Sequence, residues 1–549
     1  MRFLAVIKPR LHIFSIISII ASLLIILPLL QIVFGLFTPA SDAWIHIRTH
    51  LLRGYLFNTM ILIIAVAILS TSIGLFTAFV VTRFEFKGRQ LLSWTLILPL
   101  AIPSYIAAYI YVDMMSYTGT FSRFFRAIFN AEHGINIMNM PGAILLFSLT
   151  LYPYVYMFSK SALEKQSASY EENARLLGAY KFRIFWRVIL PLLRPALVAG
   201  TLLVVLETLN DYGVVEYLNI RVFSFAIFDA WFRLGDTAAA IRLSGVLMLV
   251  VFVIIFIERV LRGKKRYYMH VKNRPIKRVS LRGFRRVVYP GVLLLILSFG
   301  FLFPVLQLLY YARLTFFDVM NMAFVYLVIN SVSIALMATL IIVFLAVMLA
   351  NFGRKHDHIL KRGLLKITNL GYAIPGAVIA IAVMLFFIDI DHRLYPIYRF
   401  FNPETRRLIL TSSLLMLLFA YVLRFMAIGF NAIEAAYDKI GMKFTEASYS
   451  LKQTKLKTLL KVDVPLIQGG LVTAFIIVFI DVIKELPLTL ILRPTNYDTL
   501  ASSVYRYARE EMIQESAVPS LVIIVIASIL IYWLTHRKKK VVSKDVRTN

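Results

Sequence analysis

The stretch YEENARLLGAYKFRIFWRVILPLLRPAL, Tyr170 to Leu197, lies between two long apolar runs. A chain that only needs to join two such runs does so by a short turn. Here it spends roughly thirty-five polar and basic residues on a helix-like segment. A related text returns at Thr445 to Leu471, TEASYSLKQTKLKTLLKVDVPLIQGGL. The fold follows from what surrounds these two segments and why they come twice.

Their surroundings are those of a polytopic membrane protein. Of 549 residues 60% are hydrophobic and only 16% charged, with a mean hydropathy of +0.78; soluble domains are less apolar and more charged. About twelve runs are long enough to cross ~30 Å of hydrocarbon as helix. They centre on residues 13–37, 55–82, 91–116, 141–159, 195–217, 241–261, 288–311, 325–352, 364–390, 408–430, 469–492 and 517–535. The first is expected to be a retained helix, since it is too long for a signal core and no small-residue cleavage site follows. Cysteine is absent, which removes disulfides and thiolate chemistry.

A net charge of +30 raises nucleic acid as a partner, and its distribution argues against one. With a cytoplasmic N-terminus, the inner connections and both termini carry about three times as many Lys and Arg as the outer ones, a positive-inside bias that sets the orientation. The most basic segment, Arg259 to Val288, reads as a solvated cytoplasmic linker. The expected segments are an N-terminal transmembrane helix and outer loop (1–50), a first core (51–262), the basic linker (263–287), a second initial helix and outer loop (288–323), a second core (324–535) and a basic cytoplasmic tail (536–549).

The two cores repeat one another. Asn58-Thr59 returns as Asn330-Ser331 and Ala101-Ile102-Pro103 as Ala373-Ile374-Pro375, each 272 residues later; Glu172 and Pro191 return as Glu446 and Pro465, 274 later. Matches at a nearly constant offset point to duplication. Six spans per half keep both halves in the same orientation, a parallel repeat about an axis along the membrane normal. The expectation is an all-α protein of two parallel pseudo-symmetric six-helix halves.

Within the first segment a helix is expected to stop at Gly178, which tolerates positive φ, and to restart as a short second helix. Pro191 and Pro195 are placed at the entry to the fifth span, where a first helical turn accepts proline. The product is a helix–turn–helix elbow on the cytoplasmic side, shaped to fit a groove in another protein. The spacing Glu172-x-Ala174-x3-Gly178-x9-Val188-x-Leu190-Pro191 resembles the EAA loop of permease subunits of binding-protein-dependent ABC importers. The second copy keeps Glu446, Ala447 and Pro465 but has Lys452 where glycine is expected, so the form of its turn stays open.

That resemblance implies a type I importer permease fold in a bacterial inner membrane, with the elbows, through Glu172, Ala174, Gly178, Glu446 and Ala447, seated in a dimer of separate ATPase subunits. It implies a soluble binding protein on the outer side and no catalysis by this chain, with ATP and magnesium on the partner. In keeping with this, the chain has no G-x-x-x-x-G-K-[ST] sequence. Three stretches, Arg83 to Asp113, Leu209 to Leu218 and Lys484 to Ala508, resemble the ferric-iron branch of that family. Thiamine permeases share the duplicated plan, and phosphonate or other small-solute importers share much of the loop text. A six-plus-six secondary transporter is the rival from another class, and a purely structural or interaction protein is disfavoured by the many intramembrane ionisable residues.

Intramembrane acids are costly and are read as functional by default. Glu207 and Asp211 stand at i,i+4, as do Asp481 and Glu485, and the 274 offset superposes the pairs. They are the candidate substrate pathway, with Tyr105 and Tyr212 as neighbours, since Fe³⁺ is a hard cation that takes oxygen ligands. No stable metal site is expected. Four carboxylates suit a cation and disfavour an anion, without separating iron from thiamine. The structural alternative is that Lys484 and Arg424 neutralise them. Nine histidines show no metal-ligand spacing; His356-Asp357-His358 reads as a solvated turn.

Overall fold

A computed structural model of the chain describes residues 13–129, 136–262, 277–355, 370–404 and 407–545. The His356–His358 turn and residues 263–276 of the basic linker lie outside them. In hydrocarbon every backbone N–H and C=O must bond within the protein, so apolar runs of this length become helices. Those used below are α1 (Ile13–Gly35), α2 (Leu52–Arg83), α3 (Ser104–Met115), α4 (Met140–Lys165), α5 (Ala168–Leu176), α6 (Lys181–Ile184), α7 (Leu190–Asn210), α8 (Thr237–Arg262), α9 (Phe303–Val319), α10 (Met322–Lys355), α11 (Gly376–Phe401), α12 (Leu414–Ile440), α13 (Lys443–Ser450), α14 (Lys455–Thr458), α15 (Gln468–Ile483) and α16 (Ala517–Asp545).

Among the described residues nine helices are long and apolar enough to span a membrane, or eleven if two bent pairs count as one span each. The expected third run is one of these pairs: it breaks between Ala101 and Ser104 and turns by 91°. The break is the repeated Ala-Ile-Pro. Proline cannot donate to the preceding turn, and Pro103 and Pro375 stand at the N-caps of α3 and α11 with the same φ of −56°. The fifth run differs the other way. One continuous helix from Lys181 to Asn210 runs through Pro191, because a π-helical turn at Phe185–Ile189 absorbs the missing donor just ahead of it. The second half repeats that turn at Leu459–Asp463, then bends by 75° before α15.

The chain forms two compact units, one of Met1–Ser41, Asp236–Gly245 and Met322–Ser502, the other of Asp42–Gly235, Val246–Asn321 and Ser503–Asn549. Each takes in helices of both halves: α1 packs on α10 and α11, whereas α9 packs on α16 in the other unit.

At the centre of each unit stand the same three helices. In the first half α2, α4 and α7 meet at Val155. A Cβ on Gly74 would lie 2.7 Å from the Val155 Cβ, and one on Gly200 2.9 Å from its Cα. In the second half α10, α12 and α15 meet at Gly429, the repeat counterpart of Val155. A Cβ there would lie 2.7 Å from Ile342, 3.6 Å from Val478 and 3.8 Å from Ala346. The counterparts of Gly74 and Gly200 are Ala346 and Ala474, both fully buried. Small residues let helices approach where lipid supplies no hydrophobic drive; one half places them at the flanks, the other at the centre.

The N-terminal ends of α2 and α10 are pinned alike. The buried Thr59 hydroxyl on α2 accepts the Phe223 N–H at 3.1 Å, and Ser331 on α10 accepts the Leu500 N–H at 2.7 Å. This explains the repeated Asn-Thr and Asn-Ser: each fastens the loop after the fifth helix of its half. The Asn58 side chain adds a bond to the Arg221 carbonyl, and the Tyr497 hydroxyl donates to the Asn330 carbonyl.

Helix α11 runs on past the expected end of the ninth span to the fully buried Asp391. Its carboxylate accepts the Leu410 and Thr411 N–H groups at 3.0 and 2.8 Å and the Thr411 and Tyr398 hydroxyls at 2.7 and 3.0 Å. It thereby organises the turn that opens α12. Burial pushes this carboxyl up, and the four hydrogen bonds outweigh it, so the net shift is downward. A depressed pKa means stabilisation present above the unfolded value of about 3.9 and lost as pH falls through the folded one. Asp391→Asn should cost about 1–3 kcal/mol at neutral pH and flatten the acid limb of thermal stability in detergent; an acid limb identical to the parent's would contradict this assignment.

Candidate functional site

The first elbow is built from α5 and α6. Ser167 caps α5, its hydroxyl accepting the Ser169 N–H at 3.4 Å. The helix ends at Gly178, whose φ of +76° lets Gly178 N–H reach the Arg175 carbonyl and Ala179 N–H the Ala174 carbonyl, both at 2.9 Å. Ala174 and Gly178 thus shape the turn, and Glu172 points to solvent.

The second elbow, α13 and α14, makes the same turn without glycine. Lys452 takes φ +57°; its N–H reaches the Tyr449 carbonyl at 2.8 Å, and the Gln453 N–H reaches Ser448 at 3.2 Å. These are the two bonds of the first elbow, 274 residues on. Thr454 then caps α14 by accepting the Lys457 N–H. Glu446 and Ala447 are exposed, like Glu172.

Both elbows show apolar side chains at matching positions: Leu177 with Leu451, Phe182 with Leu456 and Trp186 with Leu460, the leucines at the turn 86% and 74% exposed. An exposed apolar patch marks an interaction surface. The turn itself fixes its shape.

The carboxylates divide by half. Asp481 lies 2.8 Å from Lys484. Glu485 lies 3.5 Å from Arg424, which is itself buried and donates to the Ile374 carbonyl at the Ala-Ile-Pro break. Glu485 also accepts the Leu488 N–H at 3.3 Å. Asp211 has that last task in the first half, accepting the Val214 N–H at 2.9 Å. The positions of Arg424 and Lys484, however, hold Thr150 and Asn210 there. Only the second half therefore brings its own cations to its acids by repeat position.

Tyr212 stacks on Phe228 at 3.6 Å and lies 6.2 Å from Tyr505; Tyr105 packs against Tyr109 at 5.8 Å. Glu216, 3.8 Å from Arg509, joins the Tyr212 and Tyr505 cluster. Sequence spacing gives no sign of this group, because α7, the loop after it and the helix Leu500–Arg509 supply its parts. Among the described residues no cluster of three or more His, Asp or Glu could hold a metal ion.

The profile of the binding-protein-dependent transport system inner membrane component family matches residues 70–267 and again 342–547. The chain belongs to this family. The two matches fall one on each copy of the repeat and contain both elbows. Among relatives, the Fe(3+)-transport system permease protein FbpB 2 of Haemophilus influenzae is 25% identical over 488 residues, 87% of this permease and 88% of that protein. The ferric transport system permease protein FbpB of Actinobacillus pleuropneumoniae is 24% identical over 87% of the permease and 70% of its own length. The sulfate transport system permease protein CysT of Salmonella typhimurium is 30% identical, over 29% of the permease and 56% of its length. Family membership removes the secondary-transporter reading.

In the permease the left-handed Lys452 carries a steric cost that a glycine does not. Lys452→Gly should slow amide exchange in the second elbow by a factor equivalent to about 1 kcal/mol, whereas Gly178→Ala should speed it in the first; equal exchange in both variants would show that the turns are not backbone-limited.

Proposed function

We propose that this permease carries ferric iron inward, received from a soluble binding protein on the outer side and driven by two copies of a separate ATPase engaged through the elbows. The carrying observation is the reach of the ferric-transport relatives, which align with 87% of the chain and so with both halves. The sulfate relatives favour a second reading, an oxyanion importer, but those named above align with under a third of it. The acids at Glu207 and Asp211 also oppose an anion.

In this reading ATP hydrolysis resides on the partner, together with its magnesium, and this chain supplies the pathway. Both termini and the elbows face the cytoplasm in this reading, which the placing of Lys and Arg supports. Of the four carboxylates, Asp481 and Glu485 already face Lys484 and Arg424. Glu207 and Asp211, the i,i+4 counterparts of that pair in the first half, belong to the same acidic path, and a transient path must bind weakly enough to release its ion. Tyr212 and Tyr105 add hard oxygen donors nearby. ATP-driven closure of the ATPases displaces the elbows and opens the path outward; hydrolysis resets it.

The test is ⁵⁵Fe³⁺ uptake into proteoliposomes holding the assembled transporter. Glu207→Gln with Asp211→Asn should cut uptake at least tenfold while leaving basal ATP hydrolysis intact, since the introduced amide oxygen can still accept the Val214 N–H. Glu172→Ala with Glu446→Ala should abolish coupling with the protein still in the membrane. Unchanged iron uptake in the first variant would overturn the role given to Glu207 and Asp211, sulfate uptake in place of iron by the parent would overturn the cargo, and unchanged uptake in the second variant would overturn the coupling.

A further inference from the structure

Each elbow is fastened to the cytoplasmic end of the first helix in its three-helix junction, and the two halves do it with different residues. In the first half Arg83, the last residue of α2, is buried. It pairs with Glu171 on α5 and donates to the Gln166 side chain at 3.2 Å. The Phe79 ring on α2 meets Phe185 of the elbow edge-on at 5.4 Å. Glu171 is thus turned inward, while its neighbour Glu172 faces solvent.

The repeat counterpart of Glu171 is Thr445, which cannot pair with a cation. The acid has moved: Asp463, where the first half has Ile189, is 2% exposed and lies 3.8 Å from Arg354 on α10. Thr445 donates its hydroxyl to Asp463 at 2.6 Å, and the Asn351 amide donates at 3.3 Å. Arg354 also donates to the Gly441 carbonyl and sits 4.3 Å over the Tyr437 ring. The cation has moved as well, since Arg354 corresponds to Thr82 and Lys355 to Arg83. One contact has been rebuilt from a different pair of positions.

A buried ion pair is a weak device for stability alone and strongly costly to break. Keeping one at the same junction after both partners have shifted points to a mechanical task. We infer that Arg83 with Glu171, and Arg354 with Asp463, are positioning latches that make each elbow move as one body with α2 or α10. A displacement imposed on the elbow then reaches the outer loop pinned at Thr59 or Ser331 through an unbroken helix. This rests on the coupling reading above for its function; the latch itself does not.

The chain has no cysteine, so two spin labels report without background. With labels at Leu176→Cys and Ile68→Cys in the full-length permease in nanodiscs, the parent should give a single narrow distance. Glu171→Thr should broaden it. Two repairs should restore it: the exchange Arg83→Glu with Glu171→Arg, and the transplant of the second half's set, Thr82→Arg, Arg83→Lys, Glu171→Thr and Ile189→Asp. In the assembled transporter, Fe³⁺ moved per ATP hydrolysed should fall at least fivefold in Glu171→Thr and recover with the repairs. A narrow distance in Glu171→Thr, failure of both repairs, or an unchanged transport ratio would overturn the inference. If the parent showed no ATP-coupled transport, the coupling reading would fall, and the distance arm would still decide the latch.

Discussion

The close approach of three helices at Val155, and again at Gly429, is the contact on which the rest depends. Lipid tails are as apolar as leucine side chains, so helix burial there gains little from water exclusion, and association relies on contact. Gly74 and Gly200 let two helices reach the Val155 backbone; in the repeat Gly429 yields the room and alanines flank it. With that junction fixed, α2 is a rod of 32 residues, about 48 Å at 1.5 Å per residue. It is fastened near its start through Thr59 and at its end through Arg83.

Duplication has kept positions and changed chemistry. The left-handed turn persists with Lys452 in place of Gly178, and the π-helical turn before the proline persists with four of its five side chains changed. The cap on the turn after α7 and α15 passes from Asp211 to Glu485. What has diverged is the side chains beside the acids: Arg424 and Lys484 stand where the first half has Thr150 and Asn210. Two halves that share a backbone thus place different neighbours around the same pair of acid positions.

Much of this was legible in the residues. Constant offsets revealed the repeat, the elbow spacing revealed the turn at Gly178, and Ala-Ile-Pro marked a break. Both Lys484 and Arg424 were visible as partners for the acids. Other features were hidden for physical reasons. Transmembrane helices are apolar on most faces, so no periodicity tells which helix α1 packs against, and its place beside α10 and α11 had no local signal. A span of apolar residues looks the same whether straight or bent by 91°. Glu171 and Glu172 are adjacent and alike in sequence; only the direction of the helix face separates a latch from an exposed docking residue. Asp463 stands in an apolar text, and nothing near it names Arg354, more than a hundred residues away.

The most direct test of the account is ATP hydrolysis by this permease assembled with its ATPase subunit in nanodiscs. The binding protein would be added in turn empty and loaded with Fe³⁺, thiamine or sulfate. The account predicts stimulation by the Fe³⁺-loaded form alone. Stimulation by the thiamine- or sulfate-loaded form instead would contradict the cargo, and failure to assemble with any ATPase subunit would contradict the role given to the elbows.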